Sequence, residues 1–226
     1  MTTTETPRLP IVILISGRGS NLQSIIDCAD SGVLSVNIRA VLSNRPDAEG
    51  LRLARAAGIP TGVIDHTSYP DRADFDRALQ GEIDRHQPGL VVLAGFMRLL
   101  TAGFVAHYHG RMLNIHPSLL PQLPGLYTHR RAIEAGYREH GASVHFVSAA
   151  MDGGPVLAQA RVAIEPDDTP DALAARVLQQ EHRLYPLAIQ WFAEHRIFLD
   201  DHGQIMFDGK PLTRPRDLAT EQTLPC

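Results

Sequence analysis

Ile11-Val12-Ile13-Leu14-Ile15, followed by Ser16-Gly17-Arg18-Gly19-Ser20-Asn21, is the stretch that decides the fold. A run of β-branched and aliphatic residues without polar alternation describes a strand buried on both faces, the environment of a parallel sheet. Asn21 to Ala29 then carries apolar residues at helical spacing, so the glycines mark a tight turn from strand to helix. Successive backbone N–H groups and the helix dipole converge at such a turn, which suits a phosphate. The segment lacks the Gly-Lys-Ser/Thr of a P-loop and has Leu22 where the dinucleotide fingerprint has its third glycine. A monophosphate therefore fits better than NAD or ATP, and a plain turn capped by Ser20 is the structural alternative.

Outward from this unit the pattern repeats. Strands are predicted at Ile38 to Leu42, Gly62 to Ile64, Leu90 to Leu93 and Arg111 to Ile115, with helices over Ala48 to Ala57, Asp71 to His86 and Ala102 to Tyr108. Such alternation implies a parallel sheet covered by helices. After Pro117 come a Pro/Leu loop, a helix near His129 to Ala135, and strands at Ala142 to Val147 and Val156 to Ile164 that read as antiparallel. A long helix is expected over Thr169 to Ala188, with Thr169 as N-cap and Pro170 in the first helical position. Gln204 to Phe207 and Lys210 to Leu212 resemble a hairpin, while Met1 to Pro7 and Thr213 to Cys226 read as loosely held. The fold class is α/β, with a mostly parallel central sheet and an antiparallel C-terminal part.

The 226 residues, 44% of them hydrophobic, suffice for one large domain. A net charge of −4 with scattered arginines gives no basic footprint, which counts against nucleic acid as a partner. The apolar runs are far shorter than a bilayer span and the N-terminus lacks the regions of a signal peptide, so a cytoplasmic chain without membrane contact is expected. Cys28 and Cys226 are too few for a disulfide framework and fit a reducing compartment. Lys210, the only lysine, falls in the Asp208-Gly209-Lys210 turn, which argues against Schiff-base chemistry.

Reactive side chains concentrate in two later stretches. Asn114-Ile115-His116-Pro117 ends the fifth strand, and residues two apart project to the same side of the backbone. Pro117 holds His116 extended at the strand's edge. Asp152-Gly153-Gly154-Pro155 is a turn whose glycines permit positive φ or a close approach to the backbone. A carboxylate near His116 favours the imidazolium, and the Asn114 amide can bond a carbonyl oxygen as negative charge develops on it. Amide, imidazole and carboxylate together suit acyl-group chemistry, although each stretch alone also reads as an ordinary turn. In open α/β sheets ligands bind at the carboxyl ends of strands, where the glycine loop and Asn114/His116 both fall.

Gly17 to Leu22, Leu93 to Arg98, Asn114 to Pro121, Pro124-Gly125 with Thr128-His129-Arg130, Ser143 to Val147 and Asp152 to Pro155 follow one another in order. Together they resemble the phosphoribosylglycinamide formyltransferases, the glycinamide ribonucleotide transformylases of purine synthesis. The resemblance implies a Rossmann-like formyltransferase fold. It also implies transfer of the formyl group of 10-formyltetrahydrofolate, a co-substrate, to the primary amine of glycinamide ribonucleotide, with no metal. On the matching positions Asn114, His116 and Asp152 are the catalytic trio, Gly19, Ser20 and Asn21 hold the phosphate, and Glu181 contacts the nucleotide. Arg72, Met97, Arg98, Leu99 and Leu100, with Asn114, border the folate. His129 and His145 are expected in supporting roles, and Ser118 to Pro121 marks formyl-folate enzymes broadly. Tyr127 departs from the pattern, since relatives carry histidine there, and a proton relay at that position does not carry over. Residues 10–202 are read as the catalytic domain, 1–9 as a flexible N-terminal segment and 203–226 as a hairpin and tail. The expected partners are the two small-molecule substrates, with a homodimer left open.

Three alternatives share parts of this pattern. A methionyl-tRNA formyltransferase is expected to add a C-terminal domain and a basic surface. A formyltetrahydrofolate deformylase, a hydrolase, shares the trio but is expected to carry a regulatory domain ahead of the first strand. A non-enzymatic nucleotide-binding module would use the glycine loop and leave Asn114, His116 and Asp152 unexplained.

Overall fold

The apolar run Ile11 to Ile15 is wholly buried within β1 (Leu9–Ile15), in a computed structural model that describes residues 8–225. Met1 to Pro7 of the expected N-terminal segment lie outside the described residues, as does Cys226. After β1 come α1 (Ser20–Asp30), β2 (Val36–Ser43), α2 (Gly50–Ala56), β3 (Thr61–Val63), α3 (Arg72–Arg85), β4 (Leu90–Leu93), α4 (Ala102–His107) and β5 (Met112–His116). The second part holds α5 (Thr128–Glu134), β6 (Glu139–Phe146), β7 (Val156–Ala163), α6 (Pro170–Ala193), β8 (Ile197–Leu199), β9 (Ile205–Phe207), β10 (Lys210–Pro211) and β11 (Arg216–Asp217).

The main sheet has the order β3-β2-β1-β4-β5-β6-β7-β11. It is parallel except where β6 pairs antiparallel with β5 and β7. Alternate residues of β1 face opposite layers: Ile11, Ile13 and Ile15 join a core with α1 and α6, whereas Val12 and Leu14 pack with Phe75 and Leu79 of α3, Phe104 of α4 and Tyr108 just after it. Both faces are therefore dry, each large apolar side chain contributing about 1.5–3 kcal/mol by burial. β2 and β4 flank β1, so the chain leaves this strand in both directions and a crevice opens above the ends of β1 and β4.

Helix α6 begins as expected, with the Thr169 side chain accepting from Ala172 N and Pro170 first in the helix. It runs past Pro186 to Ala193 because Leu184, Tyr185, Leu187, Ala188, Ile189 and Trp191 are buried, and that burial outweighs the proline's missing N–H. Tyr185 reaches through the core and its hydroxyl donates to the carbonyls of Leu93 and Leu113, at 2.9 and 3.0 Å. It pins β4 and β5 together just beneath their functional ends.

One reading needs correction. The segment after Thr213 is held in place where Arg216–Asp217 adds a parallel edge strand to β7 and Leu218 is buried, contacts that a Pro- and charge-rich stretch does not advertise. Cys28 in α1 is buried in the core shared with α6. Among the described residues no helix is long and apolar enough to cross a membrane.

Candidate active site

The loop after β1 leaves α1 without a side-chain cap. Gly19, not Ser20, is the N-cap residue, in the left-handed region at φ 82°, and Ser20 is already helical. The first N–H groups of α1 therefore face outward without intrahelical partners, which is the anion-binding arrangement. A second glycine completes the turn. A Cβ on Gly19 would lie 2.8 Å from Gly50 Cα, and one on Gly50 would lie 2.6 Å from Ile15 Cδ1, while Gly50 N donates to Gly17 O. Nothing in the spacing around Gly50 signals that role, because the contact is made across space. Asn21 turns inward, its Nδ2 donating to Glu181 Oε2 at 2.6 Å. Burial raises the Glu181 pKa, and the Asn21 bond only partly opposes it. The Asn21 Oδ1 is buried without a partner among the described residues, so this pair presents acceptors beside the loop.

On β5, Leu113 and Ile115 point into the core with α6, so Asn114 and His116 project from the other face, as their spacing predicts. His116 is buried and lies within the strand, one residue beyond its expected end. Its Nε2 donates to the Leu123 carbonyl at 3.0 Å, and its Nδ1 lies 3.5 Å from Asp152 Oδ2. Both neighbours are acceptors, which suits an imidazolium with an N–H on each side. Asp152 sits at φ 50° and its Oδ2 also accepts from Gly125 N at 2.9 Å. In this turn the positive φ belongs to Asp152 itself, while Gly154 supplies the close approach, since a Cβ there would fall 1.8 Å from Phe146 O.

Asn114 is oriented by His145. The His145 Nδ1 donates to Phe146 O at 3.0 Å, which leaves Nε2 as the acceptor for Asn114 Nδ2 at 3.1 Å. Burial lowers the His145 pKa and outweighs the nearby Asp152 carboxylate, 3.9 Å away, so the ring is neutral. His145 stands where β6 changes register, a bulge beside the site. His140 and His129 form a second neutral pair at 3.1 Å. Burial holds both below the ordinary histidine range, His140 at about 4, with the charge of His116 adding to the effect. The Ser118 to Pro121 segment is strapped down by a network the sequence does not announce. Ser143 Oγ donates to Ser118 O and accepts from Leu120 N, and Gln159 Nε2 donates to Leu120 O and Ser143 Oγ.

Of the residues expected at the folate border, Met97 to Leu100 lie on the connection between β4 and α4. Met97 and Leu99 are half or more exposed, Leu100 packs partly on the core, and the Arg98 guanidinium lies 5.6 Å above the Phe75 ring. Arg72 is exposed at the first position of α3. β4 lies between β1 and β5, so these residues emerge between the glycine loop and Asn114. Tyr127 is exposed, in the left-handed region at φ 57°.

Residues 9–189 match the formyl transferase family model. The phosphoribosylglycinamide formyltransferase of Escherichia coli (strain K12) is 50% identical over 212 residues, spanning 94% of this chain and 99% of that protein. The chain belongs to the phosphoribosylglycinamide formyltransferase family. Solved structures of the family carry the same fold. That from Coxiella burnetii, in complex with CHES, has a TM-score of 0.89 at 52% identity, covering 93% of this chain and 99% of its own. The glycinamide ribonucleotide transformylase 1 of Symbiobacterium toebii has a TM-score of 0.87 at 40% identity, covering 92% and 97%. The mostly parallel α/β sheet with antiparallel strands at one side is the formyltransferase fold of these proteins.

Proposed function

We propose that this enzyme transfers the formyl group of 10-formyltetrahydrofolate to the primary amine of glycinamide ribonucleotide, with Asn114, His116 and Asp152 as catalytic residues. The observation that carries the reading is the His116 imidazole, held between two acceptors at the end of β5, next to β4, whose other neighbour β1 leads into the anion-binding start of α1. The ribonucleotide phosphate takes the N–H groups at Gly19, Ser20 and Asn21, and the Glu181 and Asn21 acceptors receive hydroxyl donors of the nucleotide. The folate lies along Met97 to Leu100, with Arg72 and Asn114 at its border.

The substrate amine attacks the formyl carbon, forming a C–N bond and a tetrahedral oxyanion. That oxyanion accepts from the Asn114 N–H that His145 does not use, and from the His116 imidazolium once the substrate displaces its Leu123 contact. Asp152 keeps His116 charged and guides a water that carries the proton from the new ammonium to the folate nitrogen. The bond between that nitrogen and the formyl carbon then breaks, leaving formylated ribonucleotide and tetrahydrofolate. Positioning and charge stabilisation carry the rate.

Folate absorbance, followed with purified protein and 10-formyltetrahydrofolate in the presence and absence of glycinamide ribonucleotide, tests the reading. Formyl release that requires the amine is expected. Equal release with water as sole acceptor would make the protein a hydrolase, and no release in either case would leave the binding-module reading.

A further inference from the structure

The segment joining β4 to α4 is held at both ends by polar side chains from elsewhere in the chain. At its start Met97 N donates to Ser16 Oγ at 2.7 Å, and that hydroxyl donates onward to Asn44 Oδ1 at 2.5 Å. At its end Thr101 N donates to Asp76 Oδ2 at 2.6 Å. Asp76 lies on α3, 3% exposed, and its second oxygen is buried without a partner among the described residues. A carboxylate withdrawn from water for one hydrogen bond is a poor source of stability. Its contribution is the place it fixes for Thr101, and through Thr101 for the loop before it. Arg72 stands one helical turn earlier on α3, and Phe75, beside Asp76, carries the Arg98 guanidinium on its ring. One short piece of α3 thus supports both sides of a single surface.

We propose that Asp76 is a positioning residue for the formyl donor: it clamps the Met97 to Leu100 segment to α3, so that Met97, Arg98 and Leu99 face the folate together with Arg72. The proposal rests on the reading of these residues as the folate border. Asp76 touches no substrate, and its effect is on where the folate sits rather than on the bond-making atoms.

The test compares Asp76→Leu with Asp76→Asn by steady-state kinetics and by amide exchange at Met97 and Thr101, with thermal melting as a check of folding. In Asp76→Leu, exchange at Thr101 rises and the KM for 10-formyltetrahydrofolate rises about tenfold, the change that the loss of one hydrogen bond carries. The KM for glycinamide ribonucleotide stays within about twofold of wild type on the same reasoning. Asp76→Asn keeps an acceptor for Thr101 and restores the folate KM. If Asp76→Leu does not fold, Ser16→Ala releases the other end, and a raised folate KM with faster Met97 exchange is expected from it. Unchanged exchange at both amides would overturn the clamp itself. Faster exchange with an unchanged folate KM would overturn the positioning role by removing its premise that this segment borders the folate. A wild-type protein without formyl transfer would instead refute the functional reading.

Discussion

Asp152 Oδ2 lies 3.5 Å from His116 Nδ1 and accepts from Gly125 N at 2.9 Å, so one oxygen ties the imidazole to the loop that follows the strand. Removing its charge separates these jobs. Asp152→Asn keeps an acceptor for Gly125 and the shape of the turn, but no longer favours the imidazolium. We expect folding and substrate binding to persist while kcat falls about a hundredfold or more. Single-turnover rates beside ligand-binding isotherms check this, and unimpaired turnover would refute the assignment of Asp152.

Asn114 offers its amide through the bond to His145 Nε2 at 3.1 Å. Asn114→Ala is expected to lower kcat by about a hundredfold to a thousandfold, the usual effect of losing one oxyanion donor. His145→Ala leaves the donor present but free to rotate, so a smaller loss is expected, about tenfold. Because His145 acts through Asn114, the double variant should be no worse than Asn114→Ala alone. Additive losses in that cycle would mean that His145 contributes independently of the amide.

How much of this was legible follows from where each signal resides. The strand Ile11 to Ile15, the projection of Asn114 and His116 from one face, and the Thr169-Pro170 helix start are encoded by neighbours in sequence, and all three are present. The cap of α1 is not a local property, because whether Ser20 caps the helix or joins it depends on how tightly Gly19 can turn against Gly50. Gly50, Tyr185, Gln159 and the Asp76 contact carried no local signal, since their partners lie across the sheet or on another element. The hold on the C-terminal segment has no sequence signal for the same reason: β11 exists by pairing with β7, not by any pattern in Arg216 and Asp217.

Gly50 gives a test of the anion loop that leaves every reactive group in place. A methyl group there would meet Ile15 Cδ1 at 2.6 Å and Gly19 Cα at 3.2 Å. Ile15 is locked in the packed core and Gly19 is backbone of the turn, so neither gives way freely, and Gly50→Ala should cost about 1–3 kcal/mol of stability and displace the start of α1. The KM for the ribonucleotide should rise while the folate KM stays near wild type, because the proposed function assigns the disturbed N–H groups to the phosphate alone. Melting and both KM values decide it, and a ribonucleotide KM equal to wild type would remove the phosphate from this loop.

Glu181 sets stability against binding. Burial raises its pKa above the ordinary carboxylate value of 4.5, so the folded chain holds this proton more tightly than the unfolded chain. The stability linked to that proton is present in full below about pH 4.5, the ordinary value, and is lost as pH rises through the higher folded-state value. At neutral pH burying this carboxyl is therefore a cost that opposes folding until a ligand supplies donors. Glu181→Gln keeps an acceptor for Asn21 Nδ2 and carries no charge. It should melt at a higher temperature than wild type at neutral pH, with the difference shrinking as the pH falls toward 4.5. The same substitution replaces one acceptor oxygen with an amide donor, and its ribonucleotide KM should rise about tenfold, as expected for the loss of one hydrogen bond. Parallel melting curves across that pH range would show that the carboxylate is not penalised in the fold. A raised melting temperature with an unaltered ribonucleotide KM would place Glu181 outside the nucleotide site.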